Sequence, residues 1–327
     1  MKGVRGLHHV TAIAGDAQEN VNFYVGVLGM RLVKRSINQD APDTYHLFYA
    51  DAVGTPGTDL TFFPWPRLPA QRRGWGVWDE LYLGVPIRSL SYWRERLQAA
   101  GIECAPTETR FGELVLPFED PHGLRLALVE TESYSGFGFA PWTESPVPAE
   151  HQVRSLAGVR MVVHEGETTA EFFSSAFGFQ LQGAERERTD LGECEWKRYI
   201  VGEGKAGERI DLCFLPEISR GSWGVGAIHH VAWRAADETE QDRISRAVIA
   251  AGGRPTPVID RFWFKSVYLQ EPGGALNEIA TDGPGFAVDE TPERLGEKLV
   301  LPPRFEPRRS TIEAALPPLT LPVTRSG

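Results

Sequence analysis

The sequence is poor in several things that would have assigned it to a class at once. Only three of its 327 residues are cysteine, namely Cys104, Cys194 and Cys213. They are odd in number, far apart and not in CxxC spacing, which excludes a disulfide framework and suits a reducing compartment. All three read as packing residues. There is no uninterrupted apolar run of transmembrane length, and the start MKGVRGLHHV lacks the apolar segment of a secretory signal, so a cytoplasmic protein without a membrane partner is expected. Basic runs are missing too. Lysine and arginine number 34 against 44 aspartate and glutamate, for a net charge of −10 with the signs mixed, which argues against a nucleic-acid partner or a polybasic membrane patch. Small neutral or anionic ligands, and assembly into a homo-oligomer, stay open. The glycine-rich GEGKAGE lacks the spacing of a phosphate loop and reads as a hairpin.

What the chain does have is internal repetition. Residues 7 to 63 run from LHHVTAIA through DAQENVNFYVGVLGM, whose Val21, Phe23, Tyr24, Val27 and Leu28 fall at helical spacing, to YHLFYAD and TDLTFFP. GVRMVVH, ETTAEFFSSAFGFQL, WKRYIVG and IDLCFLP repeat that order. The remaining quarters match each other: WGVWDELYLGV with WGVGAIHHVAW, SYWRERLQAAGIE with QDRISRAVIAAGGR, and FEDPHGLRLALVET with LQEPGGALNEIATD. The chain is therefore read as α+β, four βαβββ units paired into two domains with strongly curved mixed sheets and helices outside. Residues 1–135 hold units one and two, and residues 153–285 hold units three and four. A Gly-, Pro- and Ser-rich linker, YSGFGFAPWTESPVPAE, falls between them. Residues 286–327 are too proline-rich for a fifth unit and are expected to lie over the surface with one short helix at about 311–316.

The repeat lets histidines be judged by position. His9 and His230 both lie in the first strand of their unit, and period two places His9 with Thr11 and Ile13 on one face while Val10 and Ala12 face the helix. Glu278 sits in GGALNEIATD, otherwise short of charge, where a carboxylate turned into the concavity would need a cation or a proton. Units two and three have Ala127 opposite Glu278, Leu or Tyr opposite His230, and Val159 or Arg160 opposite His9. Only units one and four carry ligand types, the outcome expected if they face each other across one site and the other cup binds no metal. Two imidazoles and one carboxylate with open positions is the donor set of non-heme Fe(II) oxygenases, whereas a structural zinc wants four closed ligands.

These stretches, together with LHHVTAIAGDAQENVNFY, GMRLVKRS, GTPGTDLTFFPWP, DRFWFKSVYLQEPGGALNEIATDGPGF and LPPRFEPRR, resemble the vicinal oxygen chelate (glyoxalase, bleomycin-resistance and extradiol dioxygenase) superfamily. Within it they resemble the ring-cleaving dioxygenases that open hydroquinones. The resemblance covers nearly all of the chain. It implies Fe(II), with Mn(II) as a substitute, held by His9, His230 and Glu278, and a surrounding shell of His8, Thr11, His229, Arg261 and Tyr268. The partners it implies are a small aromatic diol and O2. Tyr268 precedes the Glu278 strand and can point into the same cup. Arg261 lies in DRFWFKS, where Trp263 and its neighbours form an aromatic wall around one cation able to hold a phenolate, unless the guanidinium is spent on Asp260. Thr11, Arg261, Trp263 and Tyr268 are thus the expected substrate contacts, and Tyr268, His229, His8 and Arg261 the expected catalytic groups. Strict alternation turns His8 and His229 away from the cup, so they reach substrate only where the strand starts are irregular. His46 reads as a sheet residue, His122 as a turn residue, and His151 and His164 as surface. Other readings are an extradiol catechol dioxygenase, a metal-dependent glyoxalase-like isomerase or thiol transferase, which would want a fourth ligand that unit one does not offer, and a non-catalytic binding module.

Overall fold

The structure, a computed structural model, describes residues 3–132, 138–189 and 192–322. Each repeat forms a strand, a helix and three further strands. Unit one comprises β1 (Leu7–Ala14), α1 (Ala17–Val21, running on as a π-helix over Asn22–Val27), β2 (Arg31–Asn38), β3 (Ala41–Ala50) and β4 (Asp59–Pro64). Unit two comprises β5 (Trp78–Val85), α2 (Leu90–Ala99), β6 (Glu108–Arg110), β7 (Glu113–Glu119) and β8 (Arg125–Glu130). Unit three has β9 (Ser155–Val163), α3 (Gly166–Phe172, again continued as a π-helix over Phe173–Phe177), β10 (Gln180–Thr189), β11 (Gly192–Ile200) and β12 (Arg209–Phe214). Unit four has β13 (Ile228–Ala235), α4 (Glu238–Ala250), β14 (Ile259–Asp260), β15 (Lys265–Gln270) and β16 (Leu276–Thr281). Helix starts follow the sequence: the Asp16 carboxylate accepts from Gln18 N and Glu19 N, and that of Asp237 accepts from Glu240 N.

The strand ladders join unit one to unit four and unit two to unit three. β1 runs antiparallel to β13, β5 antiparallel to β9, and in each unit the first strand lies parallel to the last. The two resulting cups are joined into one sheet by a β5–β13 ladder of one pair, Ile228 with Trp78, and by further backbone bonds such as Leu7 N to Gly207 O and Leu156 N to Gly57 O. Hydrogen-bonded pairing therefore crosses the linear division of the chain between residues 135 and 153. The expected linker falls partly outside the described residues; from 138 to 150 it has no helix or strand, and Ser145 Oγ donates to Gly29 O while Val147 is buried.

Strand parity decides what goes where. Val10, Ala12, Val231 and Trp233 point outward into a core shared with the helices, where Trp233 meets Phe173, Phe177 and Phe179. Each such large apolar side chain contributes about 1.5–3 kcal/mol on burial. The opposite parity lines the cups. No helix among the described residues is long and apolar enough to cross a membrane.

The tail forms a short helix, α5 (Arg309–Ala315), after a 3-10 turn, close to where the sequence placed it. Before that helix it closes the open edge of β2, with Val300 N donating to Arg35 O. Its strongest anchor is Lys34, a fully buried lysine whose ammonium meets Phe286 O, Asp289 (2.6 Å) and Glu290. Asp289 also accepts from the Trp263 indole at 3.0 Å, so one carboxylate ties the tail to both cup walls. Lys34→Ala takes the buried cation from Asp289 and Glu290 and leaves a cavity where its stem lay, and removing one partner of such a network costs on the order of 3 kcal/mol. Urea unfolding should show that loss; a change below about 1 kcal/mol, the worth of an exposed pair, would mean the tail is held elsewhere.

Candidate metal centre

The β1–β13 ladder sets Thr11 opposite His230 and His9 opposite Ala232, with irregular register between Leu7 and His9 and between Thr11 and Ala12. β13 then pairs with β16, which puts Glu278 beside Ala232. The result converges three donor atoms from three strands. His9 Nε2 and His230 Nε2 are 3.3 Å apart, and Glu278 Oε2 lies 3.4 Å from the first and 3.0 Å from the second. All three side chains are buried.

The protons in this cluster are accounted for by the neighbouring histidines. His8 Nδ1 is 2.9 Å from His9 Nδ1, and His229 Nδ1 is 2.8 Å from His230 Nδ1. If each ligand imidazole keeps its proton on Nδ1 and donates it to the preceding histidine, both Nε2 lone pairs face Glu278. Glu278 Oε1 accepts from Ser266 Oγ at 2.5 Å, while Oε2 has no hydrogen bond. Burial favours the neutral carboxyl, but His9 and His230 outweigh it and hold Glu278 well below the usual range. Three converging lone pairs and an orphaned buried carboxylate oxygen fit a cation bound at about 2.0–2.2 Å. Among the described residues this is the one group of three ligating side chains so placed.

His8 and His229 therefore sit behind the ligands, and neither lines the pocket in front of them. Burial first, then the adjacent ligand imidazole, pushes each of them down to about 3, which keeps them neutral. The pocket is walled by Asn38, Asp40, Phe63, Arg261, Trp263 and Tyr268 among others, with Phe264 packed on the His9 ring. Tyr268 lies opposite Glu278 in the β15–β16 ladder, its ring 5.7 Å from that of His230. Burial, then the Glu278 charge, raises its phenol above the ordinary value, so it stays protonated. Arg261 stands 5.3 Å from the centre of the Tyr268 ring and pairs at 2.9 Å with Asp40, not with Asp260. Asp260 instead accepts from Phe262 N, in a turn that holds Phe262 at φ 79°. Trp263 is buried in the pocket wall, fixed by Asp289. Thr11 Oγ1 lies 3.0 Å from His230 Nε2 and 2.8 Å from Thr61 Oγ1.

Sequence reasoning passed over Ser266, Thr61 and His46. Ser266 shares strand parity with Tyr268, and Thr61 is level with Thr11 in the β1–β4 ladder; both were legible from period two once the cup face was known. His46, read as an ordinary sheet residue, lines the pocket.

The other cup is differently filled. Its ladders set Glu80 against Arg160 and Tyr82 against Gly158, so the positions of His9, His230 and Glu278 are taken by Gly158, Glu80 and Ala127. This corrects the expected Val159 or Arg160 and Leu or Tyr: the register irregularities fall at equivalent places in both ladders, so the strand pairing, and not the matching of WGVWDELYLGV with WGVGAIHHVAW, sets which residues correspond. A Cβ at Gly158 would approach Arg209 Cγ to 2.8 Å. Arginine–carboxylate pairs occupy the space: Arg110 with Glu80 (2.5 Å), Arg160 with Glu187 (2.5 Å), Arg198 with Asp211 (2.7 Å) and Arg209 with Glu113 (2.5 Å).

Known proteins share both this fold and this arrangement of strands. Residues 6–128 match the model of the Glyoxalase/Bleomycin resistance protein/Dioxygenase superfamily. The chain is 40% identical, over 97% of each chain, to a Bacillus subtilis protein named "Putative ring-cleaving dioxygenase MhqO". It is 32% identical, over 93% of each, to a chlorohydroquinone/hydroquinone 1,2-dioxygenase of Sphingobium indicum. A crystal structure of a Bacillus subtilis "putative dioxygenase" superposes with a TM-score of 0.89 at 38% identity, covering 98% of this chain and 99% of that one. The chain belongs to this superfamily and, within it, to the ring-cleaving dioxygenase family of these relatives.

His9→Ala, His230→Ala and Glu278→Ala should each purify with little metal, whereas His122→Ala and His164→Ala keep it. Elemental analysis of wild type should give one ion per chain; a value near two would mean that the arginine-filled cup also binds.

Proposed function

We propose that the protein is an Fe(II)-dependent, extradiol-type dioxygenase that opens the ring of a hydroquinone-type aromatic diol with O2. The observation that carries this reading is the three-donor cluster at the base of an aromatic-walled pocket, with no fourth protein ligand among the described residues. The names of the relatives support the same reaction. His9, His230 and Glu278 would hold the ion, which when bound supplies a charged template with room for both diol and O2 and a redox route between them.

The chain's own groups do the rest. His8 and His229 fix the tautomer and tilt of the two ligand imidazoles, so they act through the ligands rather than on the substrate. Tyr268, kept protonated, presents a phenolic O–H at the rim of the cluster and donates its proton to developing negative oxygen, a contribution on the order of 10²–10⁴ in rate. Arg261 adds a fixed cation whose partner Asp40 is largely exposed, leaving charge to hold a phenolate or the carboxylate of an opened ring. Trp263, Phe264 and Phe63 keep bulk water from the ring, and Thr11 holds its hydroxyl beside His230 Nε2.

A catechol can orient itself through two vicinal oxygens on one ion, whereas a para-diol reaches the ion through one and leaves the other distant. The Arg261 end of the pocket is the holder for that second oxygen. After anaerobic loading with Fe(II), oxygen uptake should be faster with para-diols, including halogenated or alkylated ones, than with catechol. Arg261→Ala should lower kcat/KM for para-diols by tenfold to a hundredfold, the worth of about 1.5–3 kcal/mol for a charged hydrogen bond, and should affect catechol less. Equal losses would remove the argument, and a marked wild-type preference for catechol would move the protein to the catechol-cleaving class.

A further inference from the structure

His46 is a pocket residue that neither binds the ion nor anchors the diol. It stands on β3 with its ring between Phe48 and Phe63, at 3.8 and 4.5 Å between ring centres. It lines the pocket beside His9, His230 and Arg261. Its Nε2 is 2.8 Å from Thr61 Oγ1; Thr61 Oγ1 is 2.8 Å from Thr11 Oγ1; and Thr11 Oγ1 is 3.0 Å from His230 Nε2. Four polar groups on β3, β4, β1 and β13 thus form one unbroken chain from the pocket wall to a metal-binding nitrogen. Thr11 and Thr61 are buried, and the His46 ring is flanked by the aromatic Phe48 and Phe63, so the chain's polar groups are shielded along most of its length. Each hydroxyl is both donor and acceptor, so the chain can carry its hydrogen bonds in either direction. His46 Nδ1 has no partner among the described residues and is not sealed off, unlike His8 Nε2.

We propose that His46, Thr61 and Thr11 form a proton relay from the diol to the oxygen end of the site, with His46 as the group that takes the proton from the substrate. This rests on the dioxygenase reading. The O–H bond of a diol hydroxyl breaks and Nδ1–H forms, the diol oxygen keeping the electron pair. The Nε2 proton passes to Thr61 Oγ1, the Thr61 proton to Thr11 Oγ1, and the Thr11 proton to the O2-derived oxygen beside His230. One proton leaves the diol and one reaches that oxygen, no charge stays on the relay, and the imidazole ends as its other neutral tautomer. Exchange with water at the partly exposed ring restores it. With a cation on the triad, the His230 Nε2 lone pair turns to it, and the Thr11 hydroxyl is left facing whatever oxygen lies alongside.

The test interrupts the relay in the middle. Thr61→Val and His46→Phe should keep wild-type metal content and lose on the order of 10²–10³ in kcat, while Thr61→Ser, which restores the hydroxyl, keeps most of the rate. In the metal-free protein, ¹⁵N–¹H spectra of the imidazoles provide a readout without turnover: an exchange-shielded His46 ring N–H present in wild type and Thr61→Ser, and absent in Thr61→Val. Wild-type kcat in Thr61→Val, or an unchanged His46 signal, overturns the relay while leaving the assigned activity intact. A wild type that consumes no oxygen with any diol overturns the activity itself, and the relay with it.

Discussion

A carboxylate with no exposed surface must be compensated, and Glu278 is the point around which the cup of units one and four is organised. One of its oxygens is satisfied by Ser266 and the other is aimed at two imidazole nitrogens, not at a donor. An unpaired charge in that position would cost several kcal/mol. The charge is met within the cluster by the two imidazoles, and the open oxygen between them is where a cation would fit. The pairing of β1 with β13, the bulges that bring the histidines into line and the paired histidines behind them all bear on that one requirement.

The second cup meets the same requirement from within. It shares the strand plan of the first, yet its Glu80 faces arginines. Burial raises the Glu80 pKa, but Arg110, Arg160 and Arg125 outweigh it and leave the carboxylate ionised. Arg160 lies over the Trp196 ring at 3.5 Å, filling with a guanidinium the volume that a ligand would need. One backbone plan thus carries both a three-donor cluster with room for a cation and a cup whose carboxylates are neutralised by arginines. The difference rests on a few positions, with Gly158 and Ala127 removing two ligands and the arginines supplying the charge.

Much of this was readable in the sequence because the helical and strand periodicities recur in every unit. Repeated strand, helix and strand patterns announced the units, and period two placed His9, His230 and Glu278 on one face. What escaped the reading was set by register. Matching the repeats by their sequence leaves the alignment free by one or two residues, and both ladders carry irregularities at the same places, so the equivalents of the three donors in units two and three could be named only once the strand pairing was seen. The pairing of Arg261 with Asp40 was not legible either, since Asp40 is a neighbour only across the paired units, while Asp260, the alternative partner adjacent in sequence, is turned into its own loop. His46 looked ordinary because its chemistry depends on two threonines that hydrogen-bond it to the site, and no spacing in the chain announces a contact between strands.

The pairing of unit one with unit four has a consequence for how the protein comes into being. The chain is nested: the middle units are neighbours in sequence and in space, whereas β1 must wait for β13, which in turn carries β16. His9 and His230 are separated by 221 positions, and Glu278 comes later still. During synthesis, which delivers the N-terminus first, the second and third units can zip together early, while β1 leaves the ribosome with an unpaired edge and two histidines that have nothing to hold. Closing so long a loop is slow, and the His9–His230–Glu278 cluster is therefore among the last features to form, after the strands that orient its three donors have come together.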